Sequence, residues 1–293
     1  MAQAGFQDTN ALVSANWLQA HLSDPDLRIF DCTSYLRYGE SEDHPYRYIS
    51  GRADYDAGHI PGAVHLDLQG AFSDPHSPFL MTLPPASAAA EAFARHGVAE
   101  GTRVVLYARD SMQRATRFWW MLRWLGFDDA AVLDGGYNHW VAEGRPISTA
   151  RGGYPRGSFS PIPRPEVFAG KNEVLAAIGT PDTCLINALN SSLHRGEDAS
   201  YGRPGHIPGS VNIPAASLLN PQTFEMLSPG QLAKVFESAG ITHGKRIITY
   251  CGGGIAATLD AFCLHHLGHR NVSVYDNSMS EWAADPDLPM ETG

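Results

Sequence analysis

Cys251-Gly252-Gly253-Gly254-Ile255-Ala256-Ala257 combines residue types that could support covalent sulfur chemistry. The cysteine ends an apolar run, Arg246-Ile247-Ile248-Thr249-Tyr250, that reads as a buried strand. After it, Ile255, Leu259, Phe262, Cys263 and Leu267 recur at three- and four-residue steps, the spacing of a helix. A glycine-rich turn between strand and helix can aim successive N–H groups at one point, and the helix dipole behind them adds to the field. Both favour a thiolate at position 251. The amides of Gly252, Gly253, Gly254, Ile255 and Ala256 are therefore the expected anion-binding loop. The plainer reading is a buried structural cysteine beside a tight turn. Three consecutive glycines weigh against it, because each costs conformational entropy that a merely structural turn need not carry.

The other cysteines show no such setting. Cys32 and Cys184 lie on or beside predicted strands and Cys263 lies on a helical apolar stripe, so core packing accounts for them. No CxxC pair and no close Cys/His spacing is present, which argues against zinc and against a dithiol redox motif. Thirteen histidines include His265-His266 and His269, which lie on or just after a helix without the glutamate of a His-Glu-x-x-His ligand motif. No metal and no organic cofactor is expected.

A chain of 293 residues has room for two ordinary domains, and 43% hydrophobic with 18% charged residues fits a globular protein. The net charge of −10 disfavours nucleic acid and anionic membranes as partners. No apolar run reaches membrane-spanning length, and the polar start, Met1 to Asn10, has no basic region. Reduced thiols and a cytoplasmic location are expected.

Strand and helix patterns alternate along the chain, which predicts an α/β fold with parallel sheets covered on both faces. Helical spacing marks Asn10 to His21, with Ser14 as N-cap, and later Ser87 to His96 and Arg114 to Leu125. Leu27 to Asp31, Ala63 to Leu68, Arg103 to Ala108 and Ala130 to Asp134 read as strands, and Tyr35 to Gly58 as a long loop. Between Gly144 and Pro165 the periodicity stops, as in an interdomain linker. The first half then recurs. Leu185-Ile186-Asn187 echoes Ile29-Phe30-Asp31, and Gly205-His206-Ile207-Pro208-Gly209 repeats Gly58-His59-Ile60-Pro61-Gly62. Arg246 to Tyr250 echoes Arg103 to Tyr107, and Asp276 to Trp282 echoes Asp134 to Trp140. Two copies at about half the chain length indicate a duplicated domain. Aligning Tyr107 with Tyr250 sets Ala108 opposite Cys251, so the first copy lacks the thiol.

On these segments, together with Arg117-Phe118-Trp119-Trp120, Asp134-Gly135-Gly136-Tyr137 and Ser280-Glu281-Trp282, the sequence resembles the tandem-domain rhodanese family of thiosulfate and 3-mercaptopyruvate sulfurtransferases. The resemblance covers nearly the whole chain. It implies two rhodanese-like domains, each a parallel β-sheet flanked by helices on both faces. They are expected at 1–148, catalytically silent, and 164–293, catalytic, with a linker at 149–163. It also implies that Cys251 carries sulfane sulfur as a persulfide, taken from a small donor and passed to a thiol, cyanide or a sulfur-accepting protein.

Two departures from the family pattern concern the substrate. Cys-Gly-Gly-Gly-Ile has neither the basic residues of thiosulfate enzymes nor the serine of mercaptopyruvate enzymes. Relatives commonly place arginines where Leu189 and Leu193 stand here. Charge for an anionic donor is then expected from the first domain, through Arg109 or Arg114, with Arg195 and Arg203 of the second domain as alternatives. A cysteine-dependent phosphatase is disfavoured because the arginine that would close a Cys-x5-Arg loop is Ala257. A non-catalytic sulfur-carrier or binding module is the other reading; it would be loaded once and would not cycle without a partner.

Overall fold

Short runs of β-branched and aliphatic residues alternate with helices in two successive series. The computed structural model describes residues 10–41 and 43–293; apart from Asn10, the polar start lies outside them. The first series runs β1 (Leu12–Val13), α1 (Ala15–His21), β2 (Leu27–Asp31), β3 (Ser34–Tyr38), β4 (Tyr46–Ser50), α2 (Arg52–Ala57), β5 (Val64–His65), α3 (Ala86–Arg95), β6 (Arg103–Tyr107), α4 (Gln113–Trp124), β7 (Ala130–Leu133) and α5 (Gly136–Ala142). The second runs β8 (Phe168–Ala169), α6 (Lys171–Ala177), β9 (Thr183–Asn187), α7 (Ser191–His194), β10 (Val211–Asn212), α8 (Pro229–Ser238), β11 (Arg246–Tyr250), α9 (Ala257–His266), β12 (Val272–Tyr275) and α10 (Ser278–Trp282).

The duplication is visible in the strand orders. One sheet is β1-β7-β6-β2-β5 and the other β8-β12-β11-β9-β10, all parallel. The central pairs have the same register, with Asp31 beside Tyr107 in one sheet and Asn187 beside Tyr250 in the other. Successive strand residues face opposite sides. Ile29, Val105, Tyr107 and Leu133 pack with α1, α2 and α5, whereas Phe30, Val104, Leu106 and Val132 belong to a core that continues through α4 into the second domain.

The two halves meet through corresponding elements, α4 against α9. Thr116 Oγ1 and Thr258 Oγ1 lie 2.8 Å apart at this contact. Leu83 N–H donates to Asp276 Oδ2 at 2.7 Å, and Met226 N–H donates to Asp134 Oδ1 at 2.8 Å. These pairs repeat one another with the domains exchanged, so the interface has a local pseudo-twofold axis. The repeated Gly-His-Ile-Pro-Gly segments are structural in the same paired way: Tyr107 Oη accepts Ile60 N–H at 3.2 Å, and Tyr250 Oη accepts Ile207 N–H at 3.1 Å.

Four details differ from the sequence reading. Leu12–Val13 is a strand at the sheet edge, and the helix begins only at Ala15, after the Ser14 cap. Tyr35 to Gly58 is not a loop: β3 and β4 form an antiparallel hairpin, followed by α2. Tyr and Ile suit a strand, and the intervening charged turn hid the pairing. Helix α9 has no single apolar stripe; every residue from Ala257 to His266 is buried, because one side lies on the sheet and another on α4. Residues of 149–163 also lie against the first domain rather than running free. Tyr154 Oη bonds Gly62 O and Ile29 N, Gly157 N–H bonds Ala94 O, and Ile162 N–H bonds Leu125 O.

Candidate active site

Strand β11 delivers Cys251 to the C-terminal edge of the second sheet, the edge at which parallel α/β sheets bind ligands. Its side chain is buried, with 2% of the residue exposed. The segment from Cys251 to Ala256 then turns into α9. Among the described residues, the N–H groups of Gly252, Gly253, Gly254, Ile255 and Ala256 donate to no protein acceptor. A row of buried amides without acceptors is costly to keep unless something negative occupies the space before them.

Each glycine is needed for a separate close approach. A Cβ at Gly252 would overlap Tyr201 Oη, and one at Gly253 would overlap Tyr46 Oη. Gly254 has φ +67°, and a Cβ there would strike Asp276 O. The loop is thus held between the first domain's hairpin, a second-domain loop at Tyr201 and the segment before α10.

That last segment fastens the loop backbone. Met279 N–H donates to Cys251 O at 3.0 Å, and Ser280 N–H donates to Gly252 O at 2.8 Å. Cys251 N–H donates to Ser278 Oγ at 3.0 Å, while Ser278 Oγ–H donates to Tyr275 O at 2.7 Å. Ser278 has φ +51°, a left-handed conformation unfavourable for a residue with a Cβ. Its counterpart in the first domain is Gly136, at φ +59°. The fold demands a left-handed residue there, and only the cysteine-bearing half fills it with a hydroxyl.

Arg117 reaches the loop from α4 across the interface. Its fully buried guanidinium donates to Asp276 Oδ1 at 2.6 Å, Met81 O at 3.0 Å and Gly254 O at 3.2 Å. In the first domain Asp134 has no such partner, because Leu259 occupies the position equivalent to Arg117. Burial raises the Asp134 carboxyl to about 6.

Tyr38, Tyr46 and Tyr201 form a mutually edge-packed trio over the loop, with ring centroids 5.6 to 6.3 Å apart. The Tyr38 and Tyr201 hydroxyls meet at 3.1 Å, which joins the two domains above Cys251. Burial of Tyr46 and Tyr201, and desolvation of the Tyr38 hydroxyl where it meets Tyr201, raise all three phenols, so they remain neutral hydrogen-bonding groups at neutral pH. None of these tyrosines, nor Ser278, has the spacing of a motif. The signal available in the sequence was the loss of glycine between the otherwise matching segments at 134–140 and 276–282.

Of the four arginines considered for an anionic donor, three are engaged elsewhere. Arg109 donates to Asp54 O and Gly58 O and stacks 4.0 Å above the Tyr137 ring, all within the first domain. Arg195 is paired on the surface with Glu197, and Arg203 binds four backbone carbonyls at 282–288. Arg114 remains. Its charge acts on the Tyr38 and Tyr46 hydroxyls, its Nε is buried without a partner, and its other bond is a long one, 3.4 Å to Gln113 Oε1. Leu189 and Leu193 line a cavity beside the loop with Ala256. No group of three or more His, Cys, Asp or Glu among the described residues is arranged to hold a metal ion, and no described helix is long and apolar enough to cross a membrane.

The model of the rhodanese-like domain matches residues 14–143 and again 185–285. The chain belongs to the rhodanese family. It is 31% identical to the 3-mercaptopyruvate sulfurtransferase of Escherichia coli K12, across 97% of this chain and 98% of that protein. The crystal structure of SseA from E. coli, described as a 3-mercaptopyruvate sulfotransferase, has a TM-score of 0.79 at 30% identity, covering 92% of this chain and 99% of that one. The sulfur carrier protein TtuD of Thermus thermophilus is 31% identical over 99% of both chains. An anaerobic ergothioneine biosynthesis enzyme from Chlorobium limicola, solved with trimethyl histidine, has a TM-score of 0.81 at 25% identity, covering 98% of this chain and 71% of that one.

Proposed function

We propose that this rhodanese-family protein is a sulfurtransferase that takes sulfane sulfur from thiosulfate or 3-mercaptopyruvate onto Cys251 and passes it to a thiol or cyanide. The observation that carries the reading is the set of uncommitted amides from Gly252 to Ala256 at the cysteine. A thiolate attacking the outer sulfur of a donor leaves a persulfide whose terminal sulfur is anionic, and such amides stabilise it as an oxyanion hole stabilises oxygen. Loss of one donor from an oxyanion hole costs roughly 3 kcal/mol in the barrier. Arg114 is the residue that would hold the donor's anionic end, because its guanidinium is the one of the four candidates not spent on carbonyls or a surface pair. The chemistry described needs no metal or organic cofactor, and the cytoplasm is the compartment that keeps such a thiol reduced.

Intact mass after donor treatment tests this. Wild-type protein gains one sulfur atom, reversed by cyanide, and Cys251→Ser gains none and loses turnover; the triple replacement of Cys32, Cys184 and Cys263 by Ala keeps both. Turnover retained in Cys251→Ser overturns the assignment. A second reading, a sulfur carrier that passes the persulfide to a partner protein, is favoured by Leu189 and Leu193 standing where relatives carry arginines and by the likeness to TtuD. Steady-state turnover with small acceptors separates the two.

A further inference from the structure

The cavity beside the cysteine loop measures about 410 Å³, and Tyr38, Gln113, Leu189, Leu193, Asp198 and Ala256 are among its walls. That is ample for a ligand larger than a small sulfur-donor anion. Its composition is also unlike an anion site. Leu189 and Leu193 present apolar surface, and among the lining residues Asp198 alone carries charge. The Asp198 carboxylate is held in place, since Oδ1 accepts Ser200 N–H at 2.8 Å and Ser200 Oγ–H at 2.6 Å. Its second oxygen has no protein donor among the described residues. Asp198 also acts on the Tyr38 hydroxyl at the mouth of the site, where Arg114 acts in the opposite sense from the first domain. Arg195, the nearest second-domain cation in sequence, is neutralised by Glu197. Arg114 is not among the lining residues and stands on the first-domain side. Positive charge for a donor and negative charge for a second ligand therefore come from different domains.

We propose that this cavity is the acceptor site and that it selects small thiols bearing an ammonium group, the cation turned to Asp198 and the carbon chain against Leu189, Leu193 and Tyr38. The inference rests on the persulfide reading above. In the step concerned, the acceptor enters as the thiol: its sulfur attacks the outer sulfur of Cys251–S–S⁻ as the thiol proton passes to that outer sulfur. The Cys251 S–S bond breaks with its electron pair left on Cys251 as thiolate, and the acceptor leaves as R–S–SH. Sulfur moves at the oxidation level of sulfane, so no external oxidant or reductant is consumed.

Three thiols of similar size test the selection: cysteamine (cationic), 2-mercaptoethanol (neutral) and 3-mercaptopropionate (anionic). Protein is first loaded with thiosulfate or 3-mercaptopyruvate, its sulfur confirmed by mass, and the second-order rate constant for sulfur removal by each thiol is measured. Comparing wild type with Asp198→Asn for the same thiol cancels that thiol's own nucleophilicity. Asp198 is exposed, and Asp198→Asn is expected to slow cysteamine by about three- to fivefold, the upper range of an exposed ion pair. It should leave 2-mercaptoethanol within about twofold and 3-mercaptopropionate unchanged or faster. Leu193→Lys, which puts a cation on the opposing wall, should favour 3-mercaptopropionate over cysteamine relative to wild type. Loading intact but rates for the three thiols unchanged, or lowered equally, overturns the selectivity and leaves the sulfurtransferase reading standing. Failure of wild type to load overturns that reading and the inference with it.

Discussion

Replacing Arg117 by Met tests whether the cross-domain ion pair holds the cysteine loop. The substitution preserves most of the buried length and removes the guanidinium. It leaves Gly254 O and Met81 O without that donor, and Asp276 Oδ1 without its cation. Breaking a buried pair by removing one partner costs about 3 to 5 kcal/mol. Asp276 retains its bond from Leu83 N–H, and its side chain is 15% exposed, so water recovers part of the loss. The lower end, about 3 kcal/mol, is expected. A domain with about 5 to 15 kcal/mol of stability survives that. Urea unfolding followed by circular dichroism measures the loss, and the double variant Arg117→Met/Asp276→Asn should recover about 1 to 2 kcal/mol, as coupled neighbours do. Sulfur loading, followed by mass, should slow by about ten- to a hundredfold, because a misplaced reacting group costs rate of that order. A stability loss under about 1 kcal/mol, the range of exposed pairs, with loading unchanged would refute the coupling.

Three further outcomes follow from the same geometry. Ser278→Ala keeps the left-handed strain and loses both hydroxyl bonds, whereas Ser278→Gly relieves the strain; stability from thermal unfolding should fall in the order wild type or Gly, then Ala, with Ala less stable than Gly by about 1 kcal/mol, and the reverse order would sink the strain argument. The Asp134 carboxyl has its folded value raised to about 6 by burial, so its contribution to stability is fully present below the ordinary carboxyl range and is lost as pH rises through about 6. Asp134→Asn should flatten the stability profile between about pH 4 and 6.5, and an unchanged slope counts against the assignment. Arg114→Gln should raise the donor KM by roughly tenfold or more, the value of one charge-assisted bond, while Arg109→Gln, tied to first-domain carbonyls, should change it by less than about twofold; equal effects would return the donor site to Arg109.

The duplicated architecture was legible because it is written locally. Gly-His-Ile-Pro-Gly recurs since both halves need a turn whose isoleucine amide reaches the tyrosine at the end of the central strand. The loop at Cys251 was legible for a similar reason, as glycines stand where three separate contacts forbid a Cβ. What surrounds the loop was not. Tyr46, Arg117, Tyr201 and Ser278 come from four distant segments, and each is an ordinary residue type in its own neighbourhood. Their meeting is a product of interdomain packing, to which periodicity is blind. The settings of the arginines were not legible either. Sequence proximity to the sheet edge suggested Arg109, but a guanidinium settles where carbonyls are available, and Asp54, Gly58 and the Tyr137 ring supply a complete site within the first domain.

The pseudo-twofold contact between α4 and α9 has a genetic consequence. In a dimer of identical subunits joined this way, every substitution would appear on both sides of the axis, and a change that improved one loop would alter its twin as well. Joining the halves in one chain removes that constraint. A single codon now changes one side only, which is how Arg117 can have Leu259 as its counterpart, Ser278 can have Gly136 and Cys251 can have Ala108 within an interface that otherwise keeps its symmetry. The half without the thiol is thereby free to specialise as scaffold: its hairpin, its arginine on α4 and its tyrosines can adapt to the other half's cysteine without having to serve a second one.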